Sequence, residues 1–309
     1  MQAVLEDFMV FPMAVVSWGL DRIDQRDLPL DGKEYEGGGE GSVVFVFDTG
    51  IRATHQEFSN GRAYTSADWD WGSDEGNDCQ GHGTHVAGTV AGSTVGVAPG
   101  ADVVGVRVLW GCPPDVDLPI CNTECPGVGP QSDIIKGLDK VAAACPGGSV
   151  SSDELPDSFQ GKKCVANASL GGPYPDDETR KRYNELVDNF RDKGIPIAVA
   201  AGNDNTDACV YSPASAEKAL TVSSSTEEDA RSDFSNFGAC VDLFAPGSAI
   251  NSAAHTSDTS YVTFQGTSMA CKLSAVVESV DVFCNVSNLK TNNHRSPSRC
   301  WRPCQHTRK

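Results

Sequence analysis

Ser42–Phe47 reads SVVFVF, a short apolar run with no alternation of polar and apolar residues. A strand with one wet face alternates; a continuous run implies a strand covered on both faces, as in a parallel sheet. Similar runs recur at Asp102–Leu109, Pro196–Ala201, Ala219–Val222 and Cys240–Phe244. Helix-like stretches lie between them, at His82–Ala91, Ser132–Ala144 and Asp177–Lys193. Strand and helix in alternation predict βαβ units, an α/β fold, and functional residues gathered where strands end. Residues 1–40 read as irregular, and 111–130 and 145–163 as long surface loops rich in Gly, Pro, Cys, Ser or Asp. No internal repeat and no second domain is visible.

Three segments carry chemistry. Val44–Gly50 (VFVFDTG) puts Asp48 at the end of a buried strand. Alone, such an Asp is more often a helix cap or turn former. Gly81–Gly92 (GHGTHVAGTVAG) has small residues at Gly83, Ala87, Gly88 and Ala91, which suit a helix packed closely on a sheet, with His82 at its start. His82 and His85 lack the intervening Glu of a zinc-protease pair, so His85 reads as a polar core residue. Gln265–Ala270 (QGTSMA) places Ser268 at a helix start, as a nucleophile or as an ordinary cap. The chain order Asp, His, Ser is one of the known orders of a serine-protease triad.

Together these motifs resemble the subtilases, and SWGLDRID (17–24), ASLGG (168–172), AVAAGNDN (198–205), YSPAS (211–215) and FSNFG…VDLFAPG (234–247) resemble the proteinase K and aqualysin group. The resemblance covers about residues 17–270. It implies a three-layer subtilisin-like fold, with a central, mainly parallel sheet flanked by helices, and a serine endopeptidase without a catalytic cofactor. In it Ser268 is the nucleophile, His82 the general base, Asp48 the group that orients His82, and Asn203 an oxyanion donor. Ser169, Leu170, Gly171, Gly172, Ala200 and Gly202 then form the substrate-binding edge and an open pocket for apolar or aromatic side chains. The same resemblance implies a structural calcium at Asp242 with the carbonyls of Glu217 and Ala219, and disulfides Cys79–Cys112 and Cys209–Cys240. Cys121–Cys125 and Cys145–Cys164 are plausible local pairs whose connectivity the sequence leaves open.

Twelve cysteines without a zinc-ligand pattern point to an oxidising compartment and secretion. A net charge of −18 disfavours nucleic-acid and anionic-membrane partners; the expected partners are extended polypeptide substrates, taken by a monomer. No stretch of 18 apolar residues spans a membrane. Met1–Leu20 has no basic leader, and its apolar stretches are broken by Glu6-Asp7 and Pro12, so the true start is expected upstream, with residues 1–16 a propeptide remnant. The catalytic domain is placed at 17–270.

Residues 271–309 differ, carrying seven Lys/Arg against two Asp/Glu. The subtilase pattern continues GTSMA with a small residue and Pro-His-Val-Ala-Gly, where this chain reads Cys-Lys-Leu-Ser-Ala. Lys272 and Glu278 would fall on a helix that should be buried, where unpaired charge is costly. Cys271-Lys272 is encodable with an intron-donor sequence, and Pro297–Arg302 is encodable so that a one-base shift reads Pro-His-Val-Ala-Gly. The expectation is a mistranslated tail, an incomplete C-terminal part of the fold, and, as the alternative to a protease, an inactive subtilase-fold protein.

Overall fold

The computed structural model describes residues 17–25, 27–32, 37–71, 76–110, 127–174 and 176–271. The expected propeptide remnant and the tail beyond Cys271 lie outside this range.

Its centre is a seven-stranded parallel sheet. The strands are β1 (Ser42–Asp48), β2 (Ala63–Tyr64), β3 (Asp102–Arg107), β4 (Lys163–Ala168), β6 (Ile197–Ala200), β8 (Leu220–Ser225) and β9 (Leu243–Pro246). The intervening β5 (Gly172–Pro173) and β7 (Tyr211–Ser212) pair with each other, and β10 (Ile250–Ala253) and β11 (Tyr261–Phe264) form an antiparallel hairpin. The sheet order is β2-β3-β1-β4-β6-β8-β9. Every residue of β1 is buried, as the continuous apolar run requires.

Successive side chains of β1 leave on opposite faces. Val44 and Val46 join a core with Val86, Ala87 and Val90 of α2 (His82–Ala91). Val43, Phe45 and Phe47 join another with Leu138 and Val141 of α3 (Gln131–Ala144) and Val187 and Phe190 of α4 (Asp177–Asp192). Helices on both faces give the three layers. Because β1 lies between β3 and β4, the winding reverses at its carboxyl end, where open α/β sheets place their sites. Asp48 is the last residue of that strand.

Besides the short strands β2, β10 and β11, two elements that bear on the core escape the sequence reading. The first is α1 (Trp18–Asp24), in a stretch read as irregular; its seven residues are too few to show a helical period. Long-range contacts hold it: Trp18 Nε1 donates to Ser248 O at 3.0 Å, and Arg22 grips Asp229 at 2.7 and 2.9 Å. The second is β4, whose KCVANA interrupts its apolar run with Lys163 and Asn167. Asn167 is fully buried and hydrogen-bonded on both ends of its amide, to Cys271 Sγ at 3.2 Å and from Ser169 Oγ at 3.0 Å. A paired polar group is tolerated in a core strand.

Disulfides join Cys145 to Cys164 and Cys209 to Cys240. Cys79 is disulfide-bonded; Cys112, Cys121 and Cys125 lie outside the described residues.

Candidate active site

Asp48 ends β1 fully buried, and His82 opens α2 with its side chain a quarter exposed. The two meet at the sheet's carboxyl edge. His82 Nδ1 lies 2.8 Å from Asp48 Oδ1 and 2.9 Å from Oδ2, and the Thr49 amide donates to Oδ1 at 2.8 Å. With the carboxylate ionised, Nδ1 holds the ring proton and Nε2 keeps its lone pair. The approach is close because residue 83 is glycine: a Cβ there would sit 2.1 Å from Gly50 O.

After β11 the chain turns at Gly266, and residues 267–271 are helical, with Ser268 in the first turn. The Ser268 hydroxyl donates to Ser169 O at 3.2 Å, and the Ser169 hydroxyl lies 3.2 Å from Ser268 O. Among the described residues no hydrogen bond joins Ser268 to His82.

Asn203 stands in the loop after β6. Its Oδ1 accepts from Thr267 N at 2.8 Å and Thr267 Oγ1 at 3.0 Å. With that oxygen occupied, the amide nitrogen is the end left to donate elsewhere. Fully buried Asn236 fixes the loop: Nδ2 donates to Ala201 O at 2.9 Å, and Oδ1 accepts from Asp204 N and Thr206 N at 3.0 and 3.1 Å. Gly202 is at φ +103°, and a Cβ there would meet Asn236 Nδ2 at 2.3 Å.

Ser268 and Asn203 border a cleft of about 310 Å³. Ser169, Leu170, Gly171, Gly172, Ala200 and Gly202 all line it. A Cβ on Gly172 would touch nothing within 4 Å, so this rim is open. Segment 169–171 follows β4 without strand pairing of its own; Gly172–Pro173 pairs with Tyr211–Ser212 to close one side.

Comparison with known proteins gives the family. A profile of the subtilase family (peptidase S8) fits residues 39–277, well over half the chain. The chain belongs to the subtilase family. It is 44% identical over 255 residues to an extracellular serine proteinase of a Thermus species, covering 82% of this chain and 54% of that protein. It is also 44% identical to alkaline serine exoprotease A of Vibrio alginolyticus, covering 82% and 41%. A crystal structure of a cold-adapted subtilisin-like serine proteinase superposes with a TM-score of 0.70 at 40% identity, covering 88% of each chain. The chain thus spans about half the length of these first two relatives.

Within this subtilase, His85 is buried and is no part of the cleft; its Nε2 lies 3.0 Å from Ile250 O and its ring stacks on Phe264. Asp242 sits by β8, its Oδ2 accepting from Thr221 N at 2.9 Å. Among the described residues no cluster of three or more His, Cys, Asp or Glu side chains is placed to hold a metal. The ligand set implied for Asp242 is one carboxylate with carbonyl oxygens, and such all-oxygen donors suit calcium. Thr267, Tyr211 and Asn236 were not singled out from sequence. Tyr211 lines the cleft and donates to Asp204 Oδ2 at 2.8 Å. Burial and that carboxylate push its phenol up from the ordinary value.

Proposed function

We propose that this subtilase is a secreted serine endopeptidase that cleaves extended polypeptides through an acyl-enzyme. The observation that carries the reading is the buried Asp48 carboxylate held against His82 Nδ1, in a chain whose Ser268 and Asn203 border one cleft. Ser268 Oγ is the nucleophile. For the attack its hydroxyl exchanges the bond to Ser169 O for one to His82 Nε2; such catalytic contacts are often loose without substrate. His82 takes the proton and returns it to the leaving amine, while Asp48 stabilises the imidazolium. The Asn203 amide and the Ser268 N–H receive the oxyanion.

Residues 169–171 offer unpaired backbone to an extended peptide, which adds as a strand and presents an apolar or aromatic side chain to the cleft. Two disulfides support secretion, as does the extracellular Thermus relative. Asp242 is proposed as a structural calcium ligand with the carbonyls of Glu217 and Ala219. Calcium would act there on stability alone.

The test is hydrolysis of a chromogenic peptide with a Phe or Leu before the scissile bond. Turnover that disappears in Ser268→Ala supports the reading; no turnover by the folded chain, or turnover that survives Ser268→Ala, contradicts it.

A further inference from the structure

Asp78 lies four residues before His82 and is only 8% exposed, yet it makes no ion pair with a cationic side chain among the described residues. Its carboxylate instead accepts five hydrogen bonds. Oδ1 takes Thr49 Oγ1 at 2.9 Å, Gln80 N at 3.0 Å and Gly81 N at 2.7 Å. Oδ2 takes Thr84 N at 2.8 Å and Thr84 Oγ1 at 2.6 Å. These partners belong to two pieces of chain. Gln80, Gly81 and Thr84 bracket His82 at the head of α2, whereas Thr49 adjoins Asp48 at the end of β1.

Thr49 closes the circuit. Its hydroxyl gives its proton to Asp78 and accepts from Gly83 N at 2.9 Å, and its amide donates to Asp48 Oδ1. The two oxygens of one carboxylate therefore fix the separation of the β1 end and the α2 start. On that separation depends the two-oxygen contact of Asp48 with His82 Nδ1. Charge-assisted bonds from backbone N–H groups are strong and directional, which suits a brace better than a second flexible side chain.

We infer that Asp78 is a positioning residue for catalysis: through Thr49 on one side and the first turn of α2 on the other, it sets the Asp48–His82 geometry without touching substrate. The inference rests on the Asp48–His82–Ser268 reading above. Asp78→Asn keeps the shape but presents an N–H₂ where Oδ2 now accepts from the Thr84 amide. Misplacement near 1 Å costs about 10²-fold, so kcat should fall roughly 10- to 100-fold with KM unchanged.

The control is Glu57→Gln, which alters another buried, hydrogen-bonded carboxylate, held by Thr94 and Tyr261 away from the cleft. The experiment measures kcat and KM for the full chain, Asp78→Asn, Thr49→Ser, Thr49→Val and the control, alongside the low-field proton NMR signal of the His82 Nδ1–H. The expected result is a kcat loss in Asp78→Asn and Thr49→Val, with Thr49→Ser close to the parent. The low-field signal should shift or broaden in the two damaged variants and persist in Glu57→Gln. If Asp78→Asn fails to fold, Thr49→Val against Thr49→Ser decides by the same readouts. Unchanged kcat and an unchanged signal in folded Asp78→Asn overturn the inference. An inactive parent whose low-field signal still depends on Asp78 overturns the protease reading and leaves the brace standing.

Discussion

Asn203 has no donor advantage over any other exposed Asn until its oxygen is fixed, and Thr267 fixes it with two hydrogen bonds. Because both ends of Thr267 serve this purpose beside Ser268, the proposed oxyanion donor and the proposed nucleophile are set by one short segment. Asn203→Ala should lower kcat about 10²- to 10³-fold and leave KM nearly unchanged, the magnitude found for the corresponding donor in subtilisin; steady-state kinetics on a peptide substrate checks this. Tyr211 gives a pH prediction. Its folded pKa is raised, first by burial and then by the Asp204 hydrogen bond. The sign follows: its contribution is fully present below the unfolded value near 10 and is lost as pH rises through the folded one. Urea midpoints between about pH 9 and 11 should therefore fall less steeply in Tyr211→Phe than in the parent. Equal slopes would contradict the assignment.

At the scale of elements, α2 shows how far small residues were readable. The glycines and alanines of HGTHVAG imply close packing in sequence, and the structure realises it where Gly83 meets the backbone of Gly50. Gly83→Ala would gain about 1 kcal/mol of helix propensity. It would also drive a Cβ to 2.1 Å from a carbonyl oxygen that cannot turn aside, and overpacking of this kind costs about 1–3 kcal/mol or more. Net destabilisation in urea unfolding is the expected outcome. Elements with a strong period or a continuous run, such as β1, β3, α3 and α4, were legible for that reason. By contrast, β4 hid behind Lys163 and Asn167, and α1 was too short to show a period. The triad candidates and the rim residues Ser169–Gly172, Ala200 and Gly202 were legible because they sit in contiguous motifs that resemble a family. The braces were not. Asp78, Asn236 and Thr267 act through hydrogen bonds to other segments, and no local pattern announces such a partner.

Over the whole molecule, the cleft is assembled from the ends of β4 and β6, the β5–β7 pair and the turn after β11. Ser169, Asn203 and Ser268, far apart in sequence, line it together, and the parallel pairing of β1 with β4, Phe47 opposite Ala168, ends β1 at Asp48 next to that rim. The Cys145–Cys164 bridge ties the end of α3 to β4, the strand that leads into the substrate rim. It spans 19 residues, for which loop closure predicts about 3 kcal/mol. Replacing both cysteines by Ala should lower unfolding free energy by that order, measured by denaturant titration, and leave kcat of the folded fraction unchanged. The central claim is that this fold holds a reactive serine at position 268, activated by His82 and Asp48. Its most direct measurement is reaction of the folded chain with a fluorophosphonate, followed by mass mapping of the adduct. The account predicts one adduct per chain on Ser268, absent in Ser268→Ala and strongly slowed in His82→Ala. A folded chain that takes no label, or takes it on another residue, contradicts the account.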